Sequence, residues 1–208
     1  MRAGPRELVD AARRAGVTDE RVLTALRAVP RAEFLPESTD ADVPVSIGHG
    51  QVSTQPSLSA QMLAGLALTG TEHVLEIGTG CGYQTALLAH LAADVVTVEW
   101  WAEFAARAQR DLARLGITNV IVQTGDGTLG APAHAPFDAV LVSAAAQHVP
   151  EPLVRQLRVG GRLVQPIGPG GQEEVVLFSR DEHGLHRRGV LTEARFVRLR
   201  GRHGATSS

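Results

Sequence analysis

Three absences bound this chain before any motif is considered. It holds no lysine, one cysteine, and no apolar run near the roughly 20 residues that a membrane-spanning helix needs. The arginine-containing start also lacks the apolar segment of a signal peptide, so no membrane association is expected. A single cysteine, Cys81, excludes an internal disulfide framework and fits a reducing cytoplasm. No Cys/His cluster has zinc-site spacing, so no metal is expected. All 20 cationic side chains are arginine, which with abundant alanine and glycine reflects the codon usage of a GC-rich genome. The net charge of −2 gives no broad nucleic-acid-binding face. The 208 residues suit one domain with a sizeable core, expected to be a monomer.

What is present centres on Val74-Leu75-Glu76-Ile77-Gly78-Thr79-Gly80-Cys81-Gly82-Tyr83. An apolar run breaks into three alternating glycines, and Gln84 to Leu91 continues with helical spacing. This pattern predicts a buried strand, a tight turn and a helix N-terminus, with glycines where backbone must approach a ligand. A second apolar run, Asp94 to Val98, ends in Glu99, an acidic residue about 20 positions past the glycines and placed for ribose hydroxyls. A dinucleotide fingerprint has G-x-G-x-x-G, whereas the third glycine here arrives one residue early. A pyrophosphate favours a bare helix N-terminus. Glu76 beside the turn instead suits a cation carrying a sulfonium and an amino group. The reading is S-adenosylmethionine, with S-adenosylhomocysteine as product, rather than NAD. An ordinary βα turn is the plain alternative. Cys81 reads as small filler in the turn or as a nucleophile.

The flanking chain supplies the fold class. Helices are predicted over 6–29 with a break at Gly16-Val17-Thr18-Asp19, where Thr18 or Asp19 caps the second; Pro30 ends it and Phe34-Leu35-Pro36 anchors the chain beyond it. Residues 37–44 read as polar and turn-like. Val45 to Pro56 is rich in hydroxyls, amides and glycine, and Pro56 opens a helix over 57–66. A helix over 101–115 ends at Gly116, a strand over 120–124 runs into Gly125-Asp126-Gly127, and a strand over 137–143 precedes three alanines. A short helix over 152–157, a Gly160-Gly161 turn and a strand over 162–166 come next. Residues 174–179 and 189–199 read as antiparallel or edge strands. Strands alternating with helices imply a mostly parallel, doubly wound α/β sheet. One domain results: a helical cap (1–44), an acceptor loop and helix (45–70), a cofactor-binding core (71–168), edge strands (169–200) and a flexible tail (201–208).

With these segments in place, the chain resembles the protein-L-isoaspartate O-methyltransferase family. The glycine turn is preceded by Gly48-His49-Gly50-Gln51-x-x-Thr54-Gln55-Pro56, the block most specific to that family. Val29-Pro30-Arg31, Gly125-Asp126-Gly127, Ala135-Pro136-Phe137-Asp138-Ala139, Gly160-Gly161-Arg162 and Arg195-Phe196-Val197 add to the likeness, which runs from about Val22 to Leu199. The resemblance implies a Rossmann-like S-adenosylmethionine-dependent methyltransferase fold, with the family's permuted strand order near the C-terminal edge. It implies esterification of the α-carboxylate of L-isoaspartyl residues in damaged proteins, the ester then closing to a succinimide. Gly78, Gly80 and Gly82 would contact the methionine end of the cofactor, Glu99 its ribose, and Asp126 and Gly127 its adenine; Trp100 and Trp101 are placed to flank the adenine, and Glu76, Thr79, Tyr83 and Ser143 complete the cofactor-side candidates. Asp126 is equally explained as an Asx turn, and Ser143 as a helix cap.

The acceptor side carries the departures. Thr54 stands where the family usually has serine, and Ser53 adds a neighbouring hydroxyl. These two are the catalytic candidates, because a carboxylate nucleophile is ionised at neutral pH and needs donors and placement rather than a base. Gln51, Gln55, His49, Val197 and Arg198 are the substrate-binding candidates, Arg198 replacing the family's proline. His49 reads as a loop residue or, less simply, a general base. Two further functions stay open: a carboxyl methyltransferase dedicated to an aspartate in one partner peptide, and a relative that binds cofactor without turnover.

Overall fold

The computed structural model describes residues 4–35, 39–169 and 171–204. The expected break in the first helical stretch yields α1 (Pro5–Arg14) and α2 (Glu20–Ala28). Gly16 makes the turn at φ +89°, and Asp19 rather than Thr18 is the cap. Its carboxylate accepts the Arg21 N–H at 2.9 Å, a contact worth about 1 kcal/mol. Leu8, Val9, Ala12, Val22, Leu23 and Leu26 are buried, as their spacing requires. Arg31–Phe34 forms a short 3₁₀ turn in which Arg31 is wholly enclosed. Its guanidinium donates to the carbonyls of Ala41 (2.5 Å) and Val43 (2.7 Å), so a buried cation ties residues 41–43 to the helical cap. Within the predicted anchor and polar turn, Pro36, Glu37 and Ser38 lie outside the described residues.

The hydroxyl-rich stretch is a hairpin, not an irregular loop. β1 (Val45–Gly48) pairs antiparallel with β2 (Gln51–Ser53), and Gly48, His49 and Gly50 all have positive φ at the reversal. α3 (Pro56–Leu66) comes next, with Pro56 in its first turn. Asp42 caps this helix from outside, accepting the Ser57 N–H at 2.8 Å and the Gln55 amide at 3.0 Å.

The main sheet contains β3 (His73–Ile77), β4 (Asp94–Glu99), β5 (Val120–Thr124), β6 (Phe137–Val142), β7 (Leu157–Ile167), β8 (Glu173–Asp181) and β9 (Gly184–Ala194). Their order is β5-β4-β3-β6-β7-β8-β9, with β3 to β7 parallel and the last two strands antiparallel. α4 (Tyr83–Leu91) and α5 (Ala102–Arg114) cross between β3, β4 and β5, while α6 (Glu151–Gln156) joins β6 to β7. Val74, Val95, Leu141 and Val164 pack with the larger helices on one face. Leu75, Ile77, Val96 and Val140 pack with Leu153 of α6 on the other. A strand covered on both faces has no use for alternating polarity, so Val74, Leu75 and Ile77 of β3 are apolar on both faces and Glu76 is the exception.

The C-terminal third departs from the expected boundaries. Gly160-Gly161 does not precede the strand; it forms an irregularity inside β7, where residues 158–161 bulge between the pairs Phe137–Leu157 and Ala139–Arg162. A Cβ on Gly161 would fall 2.9 Å from the Asp138 carbonyl oxygen, which explains the glycine. β9 begins at Gly184, after a tight turn in which Asp181 accepts the His183 N–H at 2.8 Å, and ends at Ala194. Residues 195–199 therefore leave the sheet. Of the expected flexible tail, residues 201–204 fold back, with Arg202 and His203 N–H donating to Asp126 and Thr128; residues 205–208 lie outside the described residues.

Candidate functional site

The chain runs outward from β3 through β4 to β5 and then returns to β6 on the other side of β3, so the carboxyl ends of β3 and β6 flank an open crevice where the strand order reverses. Gly78, Gly80 and Gly82 turn the chain there with φ of +95°, +55° and +90°, all in the left-handed region. The third glycine also lets the turn sit on α5, since a Cβ on Gly82 would approach that of Ala108 to 3.1 Å. Glu99 ends β4 beside the turn and is nearly buried. One carboxylate oxygen accepts the Gly80 N–H at 2.8 Å and the other the Trp101 N–H at 2.9 Å. Each oxygen keeps a second lone pair for a diol. Gly78, Thr79, Gly80, Tyr83, Glu99, Trp100, Gly127 and Ser143 all line this cleft.

Glu76 does not line it, which corrects the expectation of a carboxylate facing a cationic ligand. Its side chain points to the face that α4 covers and is fully buried. It accepts from Thr85 (2.5 Å), Thr97 (2.8 Å) and the Gln84 amide (3.1 Å), while the Thr79 and Thr97 hydroxyls lie 2.6 Å apart. Burial pushes this carboxyl up to about 7 against those three hydrogen bonds, and the charge of Glu99 adds to the rise. Glu76 therefore braces the glycine turn from behind, and Gln84 carries the brace forward by donating to Ser143 Oγ at 2.6 Å.

Gly82 and Asp126 also fall outside the lining. Asp126 accepts the Thr128 N–H (2.9 Å), the Thr128 hydroxyl (2.6 Å) and the Arg202 N–H (2.8 Å). Burial opposes its ionisation, but these donors hold it below the usual carboxylate range. The Asx-turn alternative describes this geometry. Asp126 shapes the turn that presents Gly127, where a Cβ would collide with Ile77 at 2.5 Å.

On the acceptor side, Gln51, Ser53 and Thr54 line the cleft from the hairpin, and Val197 and Arg198 line it from the C-terminal segment. His49 and Gln55 do not. The His49 ring stacks on Trp101 at 4.1 Å and 14°, meets Phe104 edge-on, and pairs with Glu103, so it fastens the hairpin to α5. Gln55 is engaged with Asp42 and Ser57. Cys81 is buried in the turn, and burial pushes its thiol up, away from the thiolate a nucleophile requires.

Trp101, read with Trp100 as a flank for the adenine, lines the cleft, and sequence reasoning missed Ser59, Gln84 and Arg200, which also line it. Ser59 Oγ, Tyr83 OH and Gln84 Oε1 are buried and have no protein partner. Leaving such a group unpaired costs about 1–3 kcal/mol, so the fold leaves polar demand unmet on three residues of the cleft wall. A signal did exist for Ser59: it lies three and four residues before Met62 and Leu63, a hydroxyl inside the apolar stripe of its helix.

Comparison with known proteins accounts for this arrangement. Residues 3–204 match the family described as Protein-L-isoaspartate(D-aspartate) O-methyltransferase (PCMT). A protein-L-isoaspartate O-methyltransferase of Methanoculleus marisnigri is 47% identical over 171 residues, spanning 80% of this chain and 78% of the relative. A solved protein-L-isoaspartate O-methyltransferase superposes with a TM-score of 0.84 at 31% identity, covering 96% of this chain and 67% of the other. A solved Plasmodium falciparum putative protein-L-isoaspartate O-methyltransferase in complex with S-adenosyl-L-homocysteine shares the fold, with a TM-score of 0.80 at 21% identity over 95% of this chain and 99% of the other. With the glycine turn, the anchored acidic residue and the hydroxyl-bearing hairpin assembled on one cleft, the chain belongs to the protein-L-isoaspartate(D-aspartate) O-methyltransferase family.

Proposed function

We propose that the protein methylates the α-carboxylate of L-isoaspartyl residues in damaged proteins, with S-adenosylmethionine as donor. The observation that carries this reading is the convergence of two kinds of lining on one cleft: Gly78, Thr79, Gly80, Tyr83 and Glu99 from the turn and strand end, and Ser53 and Thr54 from the hairpin. The cofactor fits the residues present, because Glu99 keeps a lone pair on each oxygen for a diol and Gly127 leaves room that a Cβ would take. Gly78, Thr79, Gly80 and Tyr83 would hold its methionine end, Glu99 its ribose, and Trp100, Gly127 and Ser143 the rest of the nucleoside. Bound there, it supplies an electrophilic methyl group whose transfer to a carboxylate oxygen moves no proton.

The chain's own residues then have limited tasks. An isoaspartyl α-carboxylate is already ionised at neutral pH, so no general base is required. Ser53 and Thr54 donate hydrogen bonds that orient the acceptor carboxylate, and Gln51 and Val197 bound it. His49 and Gln55 position the hairpin, and Glu76 and Asp126 position the turns that meet the cofactor. The partners are isoaspartyl-containing proteins or peptides, with no role for nucleic acid or membrane. Among the described residues no helix is long and apolar enough to cross a membrane. A monomer in a reducing cytoplasm completes the reading.

The test uses two peptides that differ only in an isoaspartyl or normal aspartyl linkage. The purified protein is expected to label the first and not the second with methyl from S-adenosylmethionine. Equal labelling of both, or of neither, refutes the proposal.

A further inference from the structure

Residues 195–203 form a basic strap, of which Val197 to Arg200 line the cleft. They contain Arg195, Arg198, Arg200, Arg202 and His203 with no acidic residue, in a chain whose net charge is −2. All four arginines are exposed, and among the described residues none forms an ion pair. The strap itself is held firmly. Phe196 N–H donates to the buried Glu173 at 2.9 Å, and Val197 and Leu199 pair with Ala145 at 2.8 Å. Arg202 N–H reaches Asp126 at 2.8 Å, and the Arg200 guanidinium lies 5.4 Å from the centre of the Trp101 ring. The backbone that carries these cations is therefore ordered before any substrate arrives.

Arg198 and Arg200 line the same cleft as Ser53 and Thr54. Glu99, which also lines the cleft, is engaged by two backbone N–H groups and, among the described residues, forms no ion pair with either arginine. A guanidinium bound directly to the reacting carboxylate would blunt its nucleophilicity, so cations at an exposed mouth are better matched to charges beside the reacting residue. We infer that the strap selects peptides carrying further carboxylates next to the isoaspartyl residue, with Arg198 and Arg200 as the residues that set this preference. The inference rests on the acceptor reading proposed above. A guanidinium suits such a partner because its planar fork pairs with a carboxylate through two parallel hydrogen bonds.

The experiment uses three isoaspartyl peptides identical except for flanking Glu, Gln or Lys pairs. At about 50 mM salt the acidic peptide is expected to show kcat/KM roughly tenfold above the lysine peptide, through KM rather than kcat, and the ratio collapses near 500 mM. Arg198→Gln with Arg200→Gln flattens the ratio, whereas the paired Lys substitutions retain most of it. Fluorescence anisotropy of the same peptides with S-adenosylhomocysteine present reads the preference without turnover. Equal affinity for the three peptides, or an unchanged ratio in the double Gln variant, overturns the inference. Ordered binding with no methylation of any peptide supports the inference and refutes the acceptor reading.

Discussion

Replacing Glu76 with glutamine removes a carboxyl that is completely enclosed and titrates near 7 in the folded protein. In the unfolded chain the same group titrates at its ordinary value of 4.5. Between these two values the folded state keeps a proton that the unfolded state has released, so stability falls as pH rises. Each pH unit of that interval is worth about 1.4 kcal/mol, which gives roughly 3 kcal/mol lost between pH 4.5 and 7. Below 4.5 the group is neutral in both states, and above 7 the cost is fully expressed. Glu76→Gln keeps the shape and removes the ionisation. Glu72, held near 2 despite burial by N–H and hydroxyl donors at Thr69 and Gly70, is unchanged in both proteins and cancels from the comparison. Urea unfolding of the two proteins at several pH values from 4.5 to 8 gives the difference directly. The wild type is expected to lose about 3 kcal/mol relative to the variant across that range. A constant offset between the two would refute the reasoning, because it would mean that Glu76 is ionised in the fold throughout.

Three further outcomes are expected at the cleft. Gly127→Ala drives a methyl group into Ile77 at 2.5 Å, and titration calorimetry should show cofactor affinity reduced by about tenfold; unaltered affinity would mean that this wall is not used. Thr54→Val preserves shape but deletes a hydroxyl, so kcat on an isoaspartyl peptide should fall about 100-fold while S-adenosylhomocysteine affinity stays within about twofold. A matching loss of both would move Thr54 to the cofactor side. His49→Ala breaks the stack on Trp101, and the acceptor KM should rise about fivefold with the form of the pH–rate profile retained. Loss of a limb of that profile would instead establish His49 as a general base.

The parts of this protein legible in its sequence are those decided over a few adjacent residues. Alternating glycines require left-handed backbone at Gly78, Gly80 and Gly82, and the apolar runs around them require strands covered on both faces. Glu99 was readable because strand, turn, helix and strand fix how far along the chain the next carboxyl end lies. Three features were not. A strand buried on both faces has no polar parity, so nothing local told whether Glu76 faced the ligand or α4. The hairpin at Gly48–Gly50 depends on three consecutive positive φ angles, one of them at a histidine that Trp101 and Phe104 hold in place. The strap reaches Asp126 from 76 residues away, and that contact occupies the carboxylate oxygen that the local turn with Thr128 leaves without a donor.

The sequence by itself thus determined the fold class, the family likeness and the glycine turn beside its acidic partner, since each rests on backbone dihedrals and short-range periodicity. Which side chains face the cleft was decided by tertiary structure alone. That choice depends on which face of β3 and α3 each residue occupies and on where a distant strap lands, and both are settled only when the two faces of the sheet are packed.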